Sequence, residues 1–233
     1  MGDKHISSQF DAELTVATSR LMEMGGLVES QMRAAMEALK NFDTDRAHEV
    51  LRLESEVNAF EVEIDREISS IISRRQPTAR DLRLLVAIYK ATTNLERAGD
   101  EVSRIARMVL ALAHDGVPRP LPIADLQLAF ELAMNQLRKA LDAFARMDER
   151  MALEILKEDD AIDVEFNGFM RKLVTYMMED PRTISASLDL VFIAKAIERV
   201  GDHAKNLAEQ IIFITRGTDI RHVSLEQVEN AVR

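Results

Sequence analysis

Glu96 and Asp100 stand four residues apart, as do Glu198 and Asp202, each pair inside the same pattern, E-R-x-G-D. On a helix, residues four apart share one face with their side chains stacked a turn apart. Two carboxylates so placed repel each other unless something cationic lies between them, and convergent carboxylate oxygens suit divalent cations. Carboxylates on facing helices of a bundle are one way a protein holds a metal centre. Glu61 and Asp65, and Asp159 and Asp163, repeat the spacing and are secondary candidates. The competing account is an ordinary acidic helix face whose charges are answered by Arg97, Arg104 and Arg199 in surface ion pairs, which stabilise little. Recurrence of Glu, Arg, Gly and Asp together in two places favours the cation site.

Other chemistries leave little trace. His203 follows Asp202 directly and points about 100 degrees away around a helix, so it reads as a surface or ion-paired residue outside the site. Methionines such as Met22, Met24, Met32, Met36, Met177 and Met178 read as adaptable core or interface filler. The sequence holds no Gly-rich phosphate loop, no Ser-His-Asp arrangement that spacing favours and no His-Glu-x-x-His helix. The Glu-x-x-His element of di-iron carboxylate bundles is missing too, because Glu96 and Glu198 are followed three residues later by Gly99 and Gly201.

The elements that must carry these residues are helices. Hydrophobic residues make up 47% of the chain and charged residues 30%, with only 8 Gly and 5 Pro among 233, a mix that favours long amphipathic helices over strands. The chain is long enough to bury a core without staples. The absence of cysteine removes disulfides, thiolate metal sites and cysteine nucleophiles. A net charge of -10 argues against a binder of duplex nucleic acid, which needs Lys and Arg to replace phosphate counterions. Residues 1–11 lack the basic start and apolar run of a secretory signal, and no segment approaches eighteen uninterrupted apolar residues. Neither export by that route nor a transmembrane segment is expected.

The chain repeats itself. Glu96, Arg97, Gly99 and Asp100 match Glu198, Arg199, Gly201 and Asp202 at an offset of 102. Upstream the match runs at an offset of 105, with Glu37 against Asp142, Asp43 against Asp148, Glu54 against Asp159 and Asn58 against Asp163. In this register the two secondary acidic pairs do not face each other. Breaks near 41–45 and 76–78, and near 146–149 and 180–183, leave three helical runs in each half. Pro77, the cluster Pro118, Pro120 and Pro122, and Pro181 mark helix boundaries. The expected organisation is a first three-helix bundle over 1–115, a linker at 116–122, a second bundle over 123–216 and a tail at 217–233.

The third helix of each half has the clearest seam, Leu85, Ile88, Thr92, Leu95, Gly99, Val102, Ala106 and Val109, matched by Ser187, Leu190, Ala194, Ile197, Gly201, Ala204, Ala208 and Ile211. Alternate steps of three and four predict shallow packing against neighbouring antiparallel helices. Glycine inside a helix costs about 1 kcal/mol relative to alanine, so a glycine at the same seam position twice predicts a close helix approach there.

Beyond the motif pair, RRQPTARDLRLL (74–85), LERAGD (95–100), LDAFARMD (141–148), TYMMEDPRTI (175–184), IERVGD (197–202) and RHV (221–223) make nearly the whole chain resemble the PhoU family of phosphate-specific transport accessory proteins. The resemblance implies an all-α fold of two tandem three-helix bundles. It implies divalent or trivalent metal clusters at the Glu/Asp-x-x-x-Asp motifs, which carry onto Glu96, Asp100, Glu198 and Asp202. It implies a cytoplasmic homodimer, peripherally associated with inner-membrane complexes. It further implies a non-enzymatic negative regulator of phosphate uptake and the phosphate-starvation response, linking the phosphate ABC transporter, through its ATP-binding subunit, to a phosphate-sensing histidine kinase. Asn58 against Asp163 and Arg104 against Asn206 depart from an ideal repeat and bear on the number of metals per site. Two rival readings are a metal-dependent carboxylate-bundle enzyme, disfavoured by the missing histidine element, and a helical scaffold without metal.

Overall fold

The computed structural model describes residues 8–116, 121–221 and 223–232. These form eight α-helices: α1 (Ser8–Asn41), α2 (Thr44–Arg75), α3 (Ala79–Asp115), α4 (Leu126–Arg146), α5 (Glu149–Glu158), α6 (Asp160–Glu179), α7 (Ile184–Arg216) and α8 (Leu225–Val232). Single 3-10 turns precede α4 and α7. Three helices pack together in the first half, α1 to α3. In the second half α5 and α6 share the place of one helix between α4 and α7. Pro118, Pro120 and His222 lie outside the described residues.

The same local chemistry makes the first turn of both halves. Phe42 and Met147 take left-handed backbone, φ 51 and 52, and each is followed by an aspartate. Asp43 accepts hydrogen bonds from the backbone of Asp45 and Arg46 and starts α2. Asp148 accepts from Arg150 and Met151 and starts α5. Each carboxylate satisfies two of the amides that a helix start leaves unpaired. A left-handed conformation at Phe42 and Met147 is uncommon for such side chains, and both are held by packing against the core.

Two features differ from the sequence expectation. The second helix of the second half is interrupted at Asp159, yet Asp159 keeps helical angles, φ -56 and ψ -41, so the hydrogen-bond ladder breaks while the chain direction continues. The segment read as a tail carries α8, which contacts α5 and α7. Ile220 and Val228 are buried in the core, and Glu229 pairs with Lys157 of α5 at 2.5 Å.

Every residue of the two predicted seams is buried. The glycines sit where helices approach closely. A Cβ at Gly99 would lie 3.1 Å from Gln31 Oε1 and 3.4 Å from Val57 Cγ1; one at Gly201 would lie 2.5 Å from Ile162 Cδ1 and 3.3 Å from Gln136 Oε1. These neighbours repeat, since Gln31 matches Gln136 and Val57 matches Ile162 at the offset of 105. A glutamine from the first helix and a β-branched residue from the second therefore close on the glycine of the third, once per half.

A second buried stripe was not anticipated. Ala91, Ala98, Ile105 and Leu112 recur every seven residues on α3, matched by Ile193, Val200, Leu207 and Ile214 on α7. With the first seam turned into its own half, this stripe is the face left for the α3–α7 contact, the most extensive between any two helices.

Gly99→Val and Gly201→Val should each destabilise the chain by about 1–3 kcal/mol through overpacking. Urea unfolding midpoints measure this. A variant as stable as the parent would show that the helices do not need the gap.

Candidate functional site

The second and third helices bring the acidic residues into two sets. In the first half, burial and then repulsion from Asp100 and Glu61 raise the Glu96 carboxyl above its ordinary value, with Glu54 adding and Arg97 opposing. Burial also raises Glu61, followed by Asp65 and Asp100, again against Arg97. Asp65 is raised by burial alone. Glu61 and Asp65 of α2 therefore share one field with Glu96 and Asp100 of α3. In the second half, burial raises Asp202, followed by Glu198 and Asp159, with Lys195 opposing and Asp163 adding. Asp159 and Asp163 thus join Glu198 and Asp202. All eight candidate residues fall in one set or the other.

The sets are not neutralised alike. Lys195 Nζ donates to Glu198 Oε1 at 2.6 Å. Lys205 pairs with Asp159 at 2.5 Å, and Gln136 Nε2 donates to the same carboxylate at 3.3 Å. Among the described residues, Glu61, Asp65, Glu96 and Asp100 have no comparable ion pair. In that half Arg107 lies 3.6 Å from Glu54, and Arg20 pairs with Glu63 and Glu67 of α2, at 3.2 and 3.3 Å.

The motif arginines turn elsewhere. Arg199 Nη1 donates to Glu101 Oε1 at 2.8 Å, joining α7 to α3. Arg104 Nη1 lies 3.2 Å from the other oxygen of Glu101, an ion pair without hydrogen-bond geometry. Arg97 forms no ion pair or hydrogen bond among the described residues. The arginines that would make the acidic pairs an ordinary ion-paired surface thus bond to a different carboxylate or to none.

His203 is neither ion-paired nor at the free surface. It is half-buried, with Nδ1 3.1 Å from Asn94 Oδ1, and Asn206 Nδ2 donates to the same oxygen at 2.9 Å. Burial lowers the His203 pKa from its ordinary value; Glu101 opposes this, and Arg97 and Arg199 add to it. Arg97, Asp100, Glu101, Arg104, Arg199, Asp202, His203 and Asn206 line one cleft of about 510 Å³ between α3 and α7. Sequence spacing missed Glu101, which is 7% exposed, and Gln31, which is fully buried. Matching the two halves residue by residue is the signal that finds Gln31, because Gln136 stands opposite it. Glu101 faces His203 in that register, and nothing in the spacing marks it.

The donors fit a hard cation in chemistry, being carboxylate oxygens throughout. One buried oxygen in each set, Asp65 Oδ1 and Glu198 Oε2, has no hydrogen-bond partner, and a buried acceptor left so is costly. Among the described residues no three His, Asp or Glu side chains already converge as a ligand group. Closing on an ion therefore requires side-chain rotation within each set.

A model of the PhoU domain matches residues 21–109 and 126–211. The chain is 47% identical over 229 residues to a phosphate-specific transport system accessory protein PhoU homolog of a Burkholderia species, covering 98% of this chain and 97% of that protein. It is 42% identical over 227 residues to the phosphate-specific transport system accessory protein PhoU of Escherichia coli K12, covering 97% and 93%. The crystal structure of PhoU from Pseudomonas aeruginosa is similar with a TM-score of 0.86 at 42% identity, over 90% of this chain and 100% of that one. The phosphate transport system regulatory protein PhoU of Streptococcus pneumoniae shares the fold, with a TM-score of 0.82 at 24% identity over 90% of this chain and 98% of that one.

With chelator present, the chain should gain stability as pH falls from neutral to the unfolded carboxylate value. Below that value the Glu13 and Asp219 carboxyls, held down to about 2 by their arginines, begin to lose theirs. Glu61, Glu96 and Asp202 have raised folded-state pKa values, so the folded chain holds these protons more tightly than the unfolded chain. That contribution is complete below the unfolded pKa and lost as pH rises through the folded one. The double variant Glu96→Gln, Asp202→Asn should melt higher than the parent at neutral pH and show a flatter pH profile. An unchanged profile would show that the two sets do not strain the fold.

Proposed function

The chain belongs to the PhoU family, and from that premise we propose that it restrains phosphate uptake and the phosphate-starvation response by docking on two partners. It is a regulatory accessory protein of phosphate transport and not an enzyme. In our reading the partners are the ATP-binding subunit of the phosphate ABC transporter and a phosphate-sensing histidine kinase, contacted from the cytoplasmic face of the inner membrane. No helix among the described residues is long and apolar enough to cross a membrane, which is in keeping with peripheral contact.

The observation that carries the reading is the pair of carboxylate sets at matching third-helix positions, each with a buried oxygen lacking a partner. In our proposal Glu96, Asp100, Glu198 and Asp202 hold divalent or trivalent cations, with Glu61 and Asp65, or Asp159 and Asp163, closing from the second helix. A bound cation supplies positive charge between carboxylates that otherwise repel. Held on one cation, the residues of each set would join α2 to α3 and α6 to α7 and so fix the outer faces that partners meet. A homodimer is part of the same reading. Its support is an exposed apolar line on α7, Ile184, Leu188 and Phe192 at four-residue spacing, with Val174 and Met178 exposed on α6.

Pull-downs from phosphate-rich cells should recover the transporter ATPase and the kinase with the chain. Repeated failure to recover either would sink the docking proposal. Metal content by mass spectrometry should collapse when Glu96, Asp100, Glu198 and Asp202 all become Ala. Unchanged content would remove them as ligands.

A further inference from the structure

The repeat places different side chains beside the two carboxylate sets. At the offset of 105, Glu61 and Asp65 of the first set match Phe166 and Met170 on α6. The second half thus has a ring and a thioether where the first has two carboxylates, and draws its own second-helix carboxylates from Asp159 and Asp163. At the offset of 102, Lys195 and Lys205 on α7 match Thr93 and Ser103 on α3. Two hydroxyls of the first half are therefore two ammonium groups in the second.

The exchanged residues meet at the second set. Lys195 Nζ donates to Glu198 Oε1 at 2.6 Å and lies over the Phe166 ring, 5.5 Å from its centre. An aromatic face attracts an ammonium, so Lys195 is held from two sides, by a carboxylate of α7 and by the residue that replaces Glu61. Lys205 Nζ pairs with Asp159 Oδ2 at 2.5 Å, and Gln136 Nε2 donates to Oδ1 of the same carboxylate at 3.3 Å. The Glu198 and Asp159 side chains are only 12% and 15% exposed, so each ammonium sits on a carboxylate that has lost most of its water. In the first half the matching hydroxyls turn away. Thr93 donates to the Tyr89 carbonyl at 3.4 Å, and Ser103 accepts from Gln31 Nε2 at 2.9 Å. No lysine forms an ion pair with Glu61, Asp65, Glu96 or Asp100 among the described residues.

We propose that Lys195 and Lys205 are built-in counterions of the second carboxylate set, so that the first set is the tighter cation site and a cation enters the second only by displacing both ammonium groups. The proposal rests on the cation reading of the two sets. A hard cation and an ammonium compete for the same carboxylate oxygens. Loading the second set breaks two ion pairs and a ring contact, and loading the first breaks none of these.

Mn2+ binding to the full chain, counted by electron paramagnetic resonance of the free ion, separates the sets when one is removed at a time. Glu198→Ala with Asp202→Ala leaves the first set, and Glu96→Ala with Asp100→Ala leaves the second. The first set should bind Mn2+ about tenfold more tightly or better. Adding Lys195→Met and Lys205→Met to the chain that keeps only the second set should tighten that set by about tenfold or more, and beside the first set alone the same replacements should change nothing. Met keeps the aliphatic stem, and both lysines are more than a third exposed, so the fold is retained. In chelator, with no ion present, the two Met replacements should lower the melting temperature of the otherwise unaltered chain, and saturating Mn2+ should restore it. Equal affinities of the two sets, a second set that the lysine replacements do not tighten, or an unchanged melting temperature in chelator would each overturn the proposal and leave the cation reading standing. Mn2+ that binds neither set, even with both lysines replaced, would remove the cation reading and the proposal together.

Discussion

The contact between α3 and α7 governs the rest of the molecule. Each of these helices is buried on two sides, one seam turned into its own three-helix unit and a second stripe left for the other unit. A helix with two apolar stripes has only narrow polar strips remaining, and on α3 and α7 these strips carry the E-R-x-G-D carboxylates and arginines. Glu96 and Glu198 emerge toward the second helix of their own half. Arg97 and Arg199 emerge into the cleft between the halves. The E-R-x-G-D motif is therefore one turn of helix read in three directions, toward a carboxylate set, toward the opposite repeat, and, through its glycine, into the packing of its own unit.

The same contact explains why a charged residue can be buried at the centre. Glu101 on α3 is only 7% exposed, and an unpaired carboxylate so buried would be expensive. Arg199 from the other half supplies a charge-assisted hydrogen bond, and Arg104 one turn along supplies a second cation. Neither arginine is deeply buried, so each keeps part of its hydration while the carboxylate loses most of its own. The pair fixes how the two units face each other more than it adds to stability, because an apolar substitute of similar shape loses little by comparison.

Periodicity made the helices, the first seam, the glycine contacts and the repeat legible, because each follows from spacing along a single helix. Two things were not legible for the same physical reason. The second stripe of α3 and α7, built on Ala91, Ala98, Val200 and smaller residues like them, has weak hydrophobicity per residue and merges with the first seam unless the two halves are compared. At the break, the Asp159 side chain is bonded to Gln136 and Lys205 from other helices, and local propensity does not contain those contacts. The segment at 217–233 looked like a tail because α8 is short, and a short helix stands only through docking, here through Val228 and the Glu229–Lys157 pair. Of the candidate site, the eight carboxylates were readable from four-residue spacing. Their neutralisation was not, since it depends on which lysine or arginine reaches across from another helix.

That difference in neutralisation makes the two sets chemically unequal. Lys205 occupies the position that matches Ser103 in the first half. Ser103 accepts a hydrogen bond from Gln31, whereas Lys205 extends to Asp159 and brings a positive charge into the second set. Lys195 adds another through Glu198. A cation approaching the second set must displace two ammonium groups already bonded to its would-be ligands. A cation approaching the first set meets four carboxylates whose mutual repulsion is offset only at a distance, by Arg97. The first set gains more from an added positive charge, and the second is already partly served by lysine. The third-helix pairs repeat while the second-helix carboxylates do not, and the exchange of Ser103 for Lys205 adds a positive charge to one set alone.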